Sequence, residues 1–268
     1  MTLGGATRLV GLIGDPVEQS LSPLIQNAAF AALALDWAYV PLPVAGERLE
    51  EAVSGLVALG FAGANVTIPH KTAVVSFCDE LDGVAERAGS VNTLVVRYGL
   101  VLGSSTDGPA VVDLVEPAGA RVLILGAGGG AQAVATALGD ADAAALIVAA
   151  RDAERAHALA VRLRTLFPDR EISAQAGWPA TADSADLVVN GTPIRDELPV
   201  EPVAGQQIVD LAYRPDGKDT AFVAAARRAG CARVVDGLDV LLAQGAGAFE
   251  RWTGLEAPSA VMSAALGR

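Results

Sequence analysis

The stretch RVLILGAGGGAQAVATAL, Arg121–Leu138, decides the fold of this chain. Arg121–Leu125 reads as a buried strand and runs straight into Gly126-Ala127-Gly128-Gly129-Gly130-Ala131, with a helix, Gln132–Leu138, beyond it. Gly126, Gly128 and Ala131 fit the G-x-G-x-x-G/A spacing, in the context that the motif requires, strand before and helix after. The first glycine permits a tight turn, the second lets the backbone approach a pyrophosphate, and the small third residue lets helix and strand pack closely. Exposed N–H groups over Gly126–Gly130 and the helix start would then attract phosphates. A plain strand-to-helix turn is the competing reading, and the flanking elements favour the dinucleotide.

The next strand, Ala144–Ala149, bears on which dinucleotide is held. An NAD site usually has an acidic residue about 20 residues after the loop, accepting the ribose 2′-hydroxyl. Here the strand is followed by Ala150, Arg151, Asp152 and, three further on, Arg155. Small Ala150 leaves room, and Arg151 and Arg155 could grip a 2′-phosphate through their guanidinium forks. That favours NADP. Asp152 keeps NAD open, either holding a ribose diol or capping the helix expected over Ala153–Leu166.

Working outward, short apolar runs alternate with helical stretches, which predicts an α/β protein. In the first half we expect strands at Arg8–Ile13, Trp37–Val44 and Gly63–Ile68, and helices at Pro23–Leu35, Glu47–Leu59 and from His70. Ser22 is the expected N-cap of the first helix, with Pro23 at N1. Residues 91–105 read as a hairpin around Tyr98-Gly99. Further strands are expected at Asp186–Val189, Ile208–Leu211 and Val234–Val235, before a helix, Leu238–Trp252, that returns to the first half. Two domains follow: residues 1–108 with 238–268 as a catalytic domain, and 109–237 as a Rossmann-type dinucleotide-binding domain.

Composition narrows the function classes. The 268 residues carry 19 Lys and Arg against 31 Asp and Glu, a formal charge of −12. Phosphate affinity comes from clustered Lys and Arg, so a nucleic-acid binder is not expected, and an anionic membrane surface would repel the chain. Hydrophobic residues make up 52% and charged ones 19%, which excludes disorder. Cys78 and Cys231 form no CxxC pair, and His70 and His157 cannot supply a multi-His site, so no metal is expected. No run of about 18 apolar residues could span a bilayer. Without a signal-peptide pattern, the expected compartment is the cytoplasm.

Several polar residues of the first half fall where strands end and loops begin, the usual place for sites in α/β proteins. They are Ser20 and Ser22 in SLSP, Asn65, Thr67 and Lys71 in NVTIPHK, Asn92 and Thr93 in GSVNT, and Thr106 and Asp107 in STDG. Singly, each has a local explanation as a cap, a turn residue or a solvated lysine. Together they change the odds. With GDPVEQSLSP (Gly14–Pro23), GAGGGA, NGTP (Asn190–Pro193), DLAYRP (Asp210–Pro215) and Gln244–Gly254, they make eight matches in order, across nearly the whole chain. In these the sequence resembles the shikimate dehydrogenase family.

The resemblance implies a substrate domain and a Rossmann domain with a cleft between them. Position by position, Ser20 and Ser22 match the pair that holds the substrate carboxylate. Thr67, Asn92 and Gln244 match residues binding ring hydroxyls, and Tyr213 faces the substrate. Lys71 and Asp107 match the catalytic pair. Gly126–Gly130, Ala127 included, match the phosphate loop, and Arg151 and Arg155 match cationic positions that favour NADP. Thr192, Leu211 and Gly237 match positions lining the cofactor near its nicotinamide half. Reducing a ketone needs a hydride from the nicotinamide and a proton for the developing alkoxide. Lys71 can donate that proton, or remove it in the reverse direction, with Asp107 orienting its ammonium.

The implied activity is NADP-dependent reduction of 3-dehydroshikimate to shikimate by a monomer or homodimer, in aromatic amino acid and chorismate biosynthesis. Three departures stand out: Ser105 where the family commonly has Asn, Ala150-Arg151-Asp152 for Asn-Arg-Thr, and Arg195 where Gly is frequent. An NAD-preferring quinate/shikimate or aminoshikimate dehydrogenase stays open as the alternative. A non-catalytic dinucleotide sensor is the reading from another class.

Overall fold

The computed structural model describes residues 3–268, which divide into two compact units. The first runs through Thr106 and takes in Leu241–Arg268; the second is Asp107–Val240.

In the first unit the chain order is β1 Arg8–Gly14, α1 Ser22–Ala32, β2 Trp37–Pro43, α2 Leu49–Ala58, β3 Gly63–Val66, β4 Glu80–Leu81, α3 Gly83–Ala88, β5 Thr93–Arg97 and β6 Leu100–Ser104. The sheet order is β2-β1-β3-β5-β6-β4, with β1 parallel to β2 and β3, and β5 antiparallel to β3 and β6. The β5–β6 turn follows the sequence: Tyr98 and Gly99 both have positive φ, +53° and +79°, as a two-residue hairpin turn demands. Ile13, Leu49, Ala64, Val66, Val74 and Leu94 are buried in one core of this unit. Phe30 stacks against Trp37 and Phe249, at 5.5 and 5.4 Å between ring centroids, tying α1 to β2 and to the C-terminal part of the unit.

Two expectations fail here. Ser22 does not cap α1: it is the first helical residue, and its own N–H donates to Ser20 Oγ at 3.2 Å. The upstream hydroxyl thus takes a donor at the helix entry, a local serine turn that competes with a cap. No α-helix starts at His70 either; the segment holds only a short 3₁₀ turn, Ala73–Phe77. The chain is pulled out of helical register on both sides, because His70 Nε2 donates to the Val44 carbonyl at 2.7 Å and Lys71 O accepts from Val91 N at 2.8 Å.

The second unit continues with α4 Asp107–Val112, β7 Arg121–Leu125, α5 Gly129–Asp140, β8 Ala145–Ala149, α6 Ala153–Leu166, β9 Glu171–Ala174, β10 Leu187–Asn190, β11 Gln207–Asp210, α7 Ala221–Ala229 and β12 Arg233–Val235. Its sheet is parallel throughout, in the order β12-β11-β10-β7-β8-β9. Counted within the unit this is 6-5-4-1-2-3, the order of a dinucleotide-binding sheet, with the reversal at β7/β10. The strands are near-continuous apolar runs because helices cover them: Val122, Ile124, Val134, Leu138, Leu146 and Leu163 lie in one core, Leu123, Leu125, Val188, Ile208 and Phe222 in another. α8, Gly237–Thr253, begins in the second unit and ends in the first, followed by α9, Ser259–Ala265. No described helix is long and apolar enough to cross a membrane.

Candidate functional site

In the first unit the serines lie on the segment that leaves β1. Ser20 Oγ accepts from Ser22 N, but neither hydroxyl donates within the described residues, so both hydrogens are available to an acceptor. Thr67 follows β3, where its N–H donates to Ile13 O at 2.8 Å and its carbonyl accepts from His70 N at 2.9 Å. Its hydroxyl is likewise uncommitted among the described residues.

Asn92 and Gln244 are brought together. Asn92 is buried, and its amide donates to Thr106 Oγ1 at 2.8 Å and to Gln244 Oε1 at 3.3 Å. Its side-chain carbonyl accepts from Thr106 N at 2.8 Å and from Thr93 Oγ1 at 3.1 Å. Asn65 donates to Thr93 Oγ1 and to the Asn92 carbonyl, and Tyr39 donates to Asn65 Oδ1 at 2.9 Å. A buried network this fully satisfied fixes rotamers and orients the Asn92 and Gln244 side chains. Sequence reasoning missed Tyr39, which reads simply as a strand aromatic; its hydrogen bond to Asn65 links β2 to β3 across the intervening β1.

Lys71 is half-buried on the loop that His70 and Val91 hold, as described above. Asp107 opens α4 in the second unit, directly after Thr106 closes the first. Gly108 explains why the residue after Asp107 has no side chain. A Cβ there would sit 2.6 Å from Ala137 Cβ and 2.8 Å from Ala133 O, so α4 and α5 meet backbone to backbone.

The glycine turn has the geometry its spacing predicts. Gly126 has φ +103°, and a Cβ on it would lie 3.0 Å from Gly191 O and 3.2 Å from Thr192 Cγ2. Around Gly128 nothing lies within 4 Å of such an atom, and the first N–H groups of α5, from Gly129 onward, have no partner within the helix. That open cradle fits a pyrophosphate. Beyond β8, Arg151 and Arg155 are exposed, and neither guanidinium makes a hydrogen bond or ion pair among the described residues. Asp152 caps α6, its Oδ1 accepting from Glu154 N at 3.1 Å and Arg155 N at 3.2 Å.

On the other side of the strand reversal a second network stands. Asp210, at the end of β11, is fully buried; burial pushes its carboxyl up to about 6, against hydrogen bonds that lower it. It accepts from Thr220 Oγ1 at 2.5 Å, Asn190 Nδ2 at 2.8 Å and Ala212 N at 3.0 Å. Asn190 Oδ1 in turn accepts from the Thr192 hydroxyl at 2.6 Å and Thr192 N at 3.1 Å. Leu211 and Tyr213 flank Ala212, and a Cβ on Gly237 would lie 2.3 Å from Ala212 O and 3.0 Å from Tyr213 Cβ. Thr192 is thus tied through Asn190 to this buried carboxyl, and Gly237 packs on Ala212 and Tyr213, two and three residues beyond it. Its role was not visible in NGTP and DLAYRP, because the two segments lie 16 residues apart and meet only through the β10–β11 pairing.

The parallel sheet, the strand reversal and the glycine turn define a dinucleotide-binding α/β protein with a second, mixed-sheet unit. Family models match most of the length: "Shikimate dehydrogenase substrate binding domain" at residues 12–94, "Shikimate / quinate 5-dehydrogenase" at 111–196 and "Shikimate 5′-dehydrogenase C-terminal domain" at 237–266. A relative from Moorella thermoacetica, named shikimate dehydrogenase (NADP(+)), is 46% identical over 97% of this chain and 93% of its own. Among solved structures, a shikimate dehydrogenase in complex with NADP+ superposes with TM-score 0.89 at 33% identity, covering 99% of this chain and 96% of the other. The Thermus thermophilus shikimate 5-dehydrogenase in complex with shikimate gives 0.85 at 31% identity, covering 97% and 98%. The chain belongs to the shikimate dehydrogenase family.

Proposed function

We propose that this chain is an NADP-dependent shikimate dehydrogenase, interconverting shikimate and 3-dehydroshikimate. The observation that carries it is the 46–47% identity, over nearly the full length, to relatives of that name; the uncommitted hydroxyls of Ser20, Ser22 and Thr67 support it. Ser20 and Ser22 have two hydroxyl hydrogens to give a carboxylate, and hydrogen bonds to an ionised acceptor are roughly twice as strong as neutral ones. Thr67, Asn92 and Gln244 take the ring hydroxyls, and Tyr213 borders the substrate. Gly126, Ala127, Gly128, Gly129 and Gly130 cradle the pyrophosphate. Arg151 and Arg155 hold a 2′-phosphate, and Asp152 acts as the cap that presents them.

In the oxidation direction a secondary alcohol becomes a ketone, losing a hydride from carbon and a proton from oxygen. NADP+, held at the Gly126–Gly130 turn, would supply the hydride acceptor. Lys71 Nζ takes the hydroxyl proton, and returns it to the alkoxide oxygen in the reduction direction, with Asp107 as the second member of the catalytic pair. Replacing a general acid–base group costs about 10²–10⁴-fold in rate. Shikimate-dependent reduction of NADP+ by Lys71→Ala and Asp107→Ala is therefore expected to fall by about that factor, with NADP+ affinity retained. Turnover near wild type in both variants would contradict the mechanism.

A further inference from the structure

Resting on the proposed function, a further assignment falls in the first unit, at Gln26. α1 and α8 meet there through two contacts. Gln26 Nε2 donates to the Gly245 carbonyl at 2.8 Å, and Phe30 packs on Phe249 at 5.4 Å between ring centroids. The second contact lies four residues on from the first along both helices, about one turn, so the two helices run the same way side by side. Their preceding turn carries residues proposed to hold the substrate. Ser22 stands four residues before Gln26, on the same face of α1, and Gln244 immediately precedes Gly245 in α8. The Gln26–Gly245 bond therefore sits one turn from the carboxylate end of the proposed ligand site and next to its hydroxyl end.

Packing alone does not explain Gln26. The residue is fully buried, and its Oε1 finds no hydrogen-bond partner among the described residues. An orphaned buried acceptor is destabilising, and an apolar side chain of the same length would avoid it. Turning the amide over does not help, because its oxygen would then face the Gly245 carbonyl oxygen. Gly245 has no need of the bond either, since its carbonyl lies inside α8, where the N–H four residues on serves it. What the bond does is fix how α1 lies along α8. Gly245 leaves room for it: a Cβ there would sit 2.9 Å from Ile25 Cδ1 and 3.4 Å from Gln26 Nε2.

We infer that Gln26 is a positioning residue that sets, through the Gly245 carbonyl, the separation between the Ser20 and Ser22 hydroxyls and Gln244. It thereby selects ligands that carry a carboxylate and a ring hydroxyl at that separation. The test is Gln26→Met, which keeps the length of the side chain and loses its amide. Initial rates with shikimate and NADP+ are expected to give a KM for shikimate roughly three- to tenfold above wild type, the worth of one net hydrogen bond, with kcat within about twofold. Cyclohexene-1-carboxylate has the carboxylate and no hydroxyl, so it reaches only the serines. Its Ki as a competitor of shikimate is expected to stay within about twofold of wild type. The melting temperature of Gln26→Met is not expected to fall, since the orphaned acceptor is gone. Gly245→Ala, which sets a methyl between the helices, is expected to raise KM and spare Ki in the same way, and it decides the matter should Gln26→Met not fold. An unchanged KM with a lowered melting temperature marks a packing role and overturns the inference. So does an unchanged KM in both variants, or a Ki that rises in step with KM. A wild type that does not turn over shikimate overturns the proposed function and this assignment with it; on an active wild type, the KM and Ki comparisons test the assignment alone.

Discussion

Arg151 and Arg155 show how much a single side chain's lack of partners can say. In a chain of net charge −12, two exposed guanidinium groups four residues apart, with no ion pair among the described residues, suit the proposed role of holding an anion locally. The double variant Arg151→Ala/Arg155→Ala is expected to raise the KM for NADP+ by about 10–100-fold, the worth of one or two charge-assisted bonds, and leave that for NAD+ within about twofold. An equal loss for both cofactors would contradict the assignment. Asp210 gives a pH signature of opposite sign to the usual paired carboxylate. Its folded pKa, about 6, lies above the ordinary 3.8, so the native state binds the proton more tightly. Asp210 is therefore unfavourable above pH 6, and the cost is relieved as pH falls from 6 toward 4. Thermal melts of wild type and Asp210→Asn should shift in favour of wild type between pH 7.5 and pH 5; a constant gap would contradict the shift. At this scale the sequence showed residue types but not partners. It showed Arg151, Ser20 and Thr67, but the choice between Ser20 and Ser22 at the α1 entry turns on a backbone angle that no residue type encodes.

Elements were legible where their own residues determine them. β7, the glycine turn and α5 follow from apolar run, spacing and helix former, and the β5–β6 hairpin follows from a two-residue turn ending in Gly99. α3, β4, α4, β9 and α7 were not seen. The first four are short, from two to six residues, and exist because neighbours complete them: β9 only as the outer partner of β8, and α4 only against α5. α7, nine residues capped by Thr220, was passed over although its own residues carry the pattern. The α4–α5 contact is testable. Gly108→Ala introduces a methyl 2.6–2.8 Å from atoms of α5 that cannot swing away, and is expected to cost about 1–3 kcal/mol, read by urea denaturation. Unchanged stability would mean that the helices part without penalty. The expected helix at His70 failed for the complementary reason, since contacts to Val44 and Val91 override local preference.

At the scale of the whole molecule, each unit has its own sheet and its own core, and α8 runs from one into the other. This division follows from periodicity: buried parallel strands in the second unit, and a hairpin with mixed pairing in the first. The residues proposed for the site divide with it: Ser20, Ser22, Thr67, Lys71, Asn92 and Gln244 belong to the first unit and Asp107, the glycine turn, Thr192, Tyr213 and Gly237 to the second. An activity that needs both sets is an activity of the entire chain, and its specificity is best measured there. The most direct test is initial rates with shikimate or quinate, each with NADP+ or NAD+, following reduced nicotinamide. Rapid turnover with shikimate and NADP+, and at least tenfold slower turnover in the other three combinations, is the result predicted from the Ser20/Ser22 pair and the unpaired arginines. Preference for NAD+, or for quinate, would contradict it.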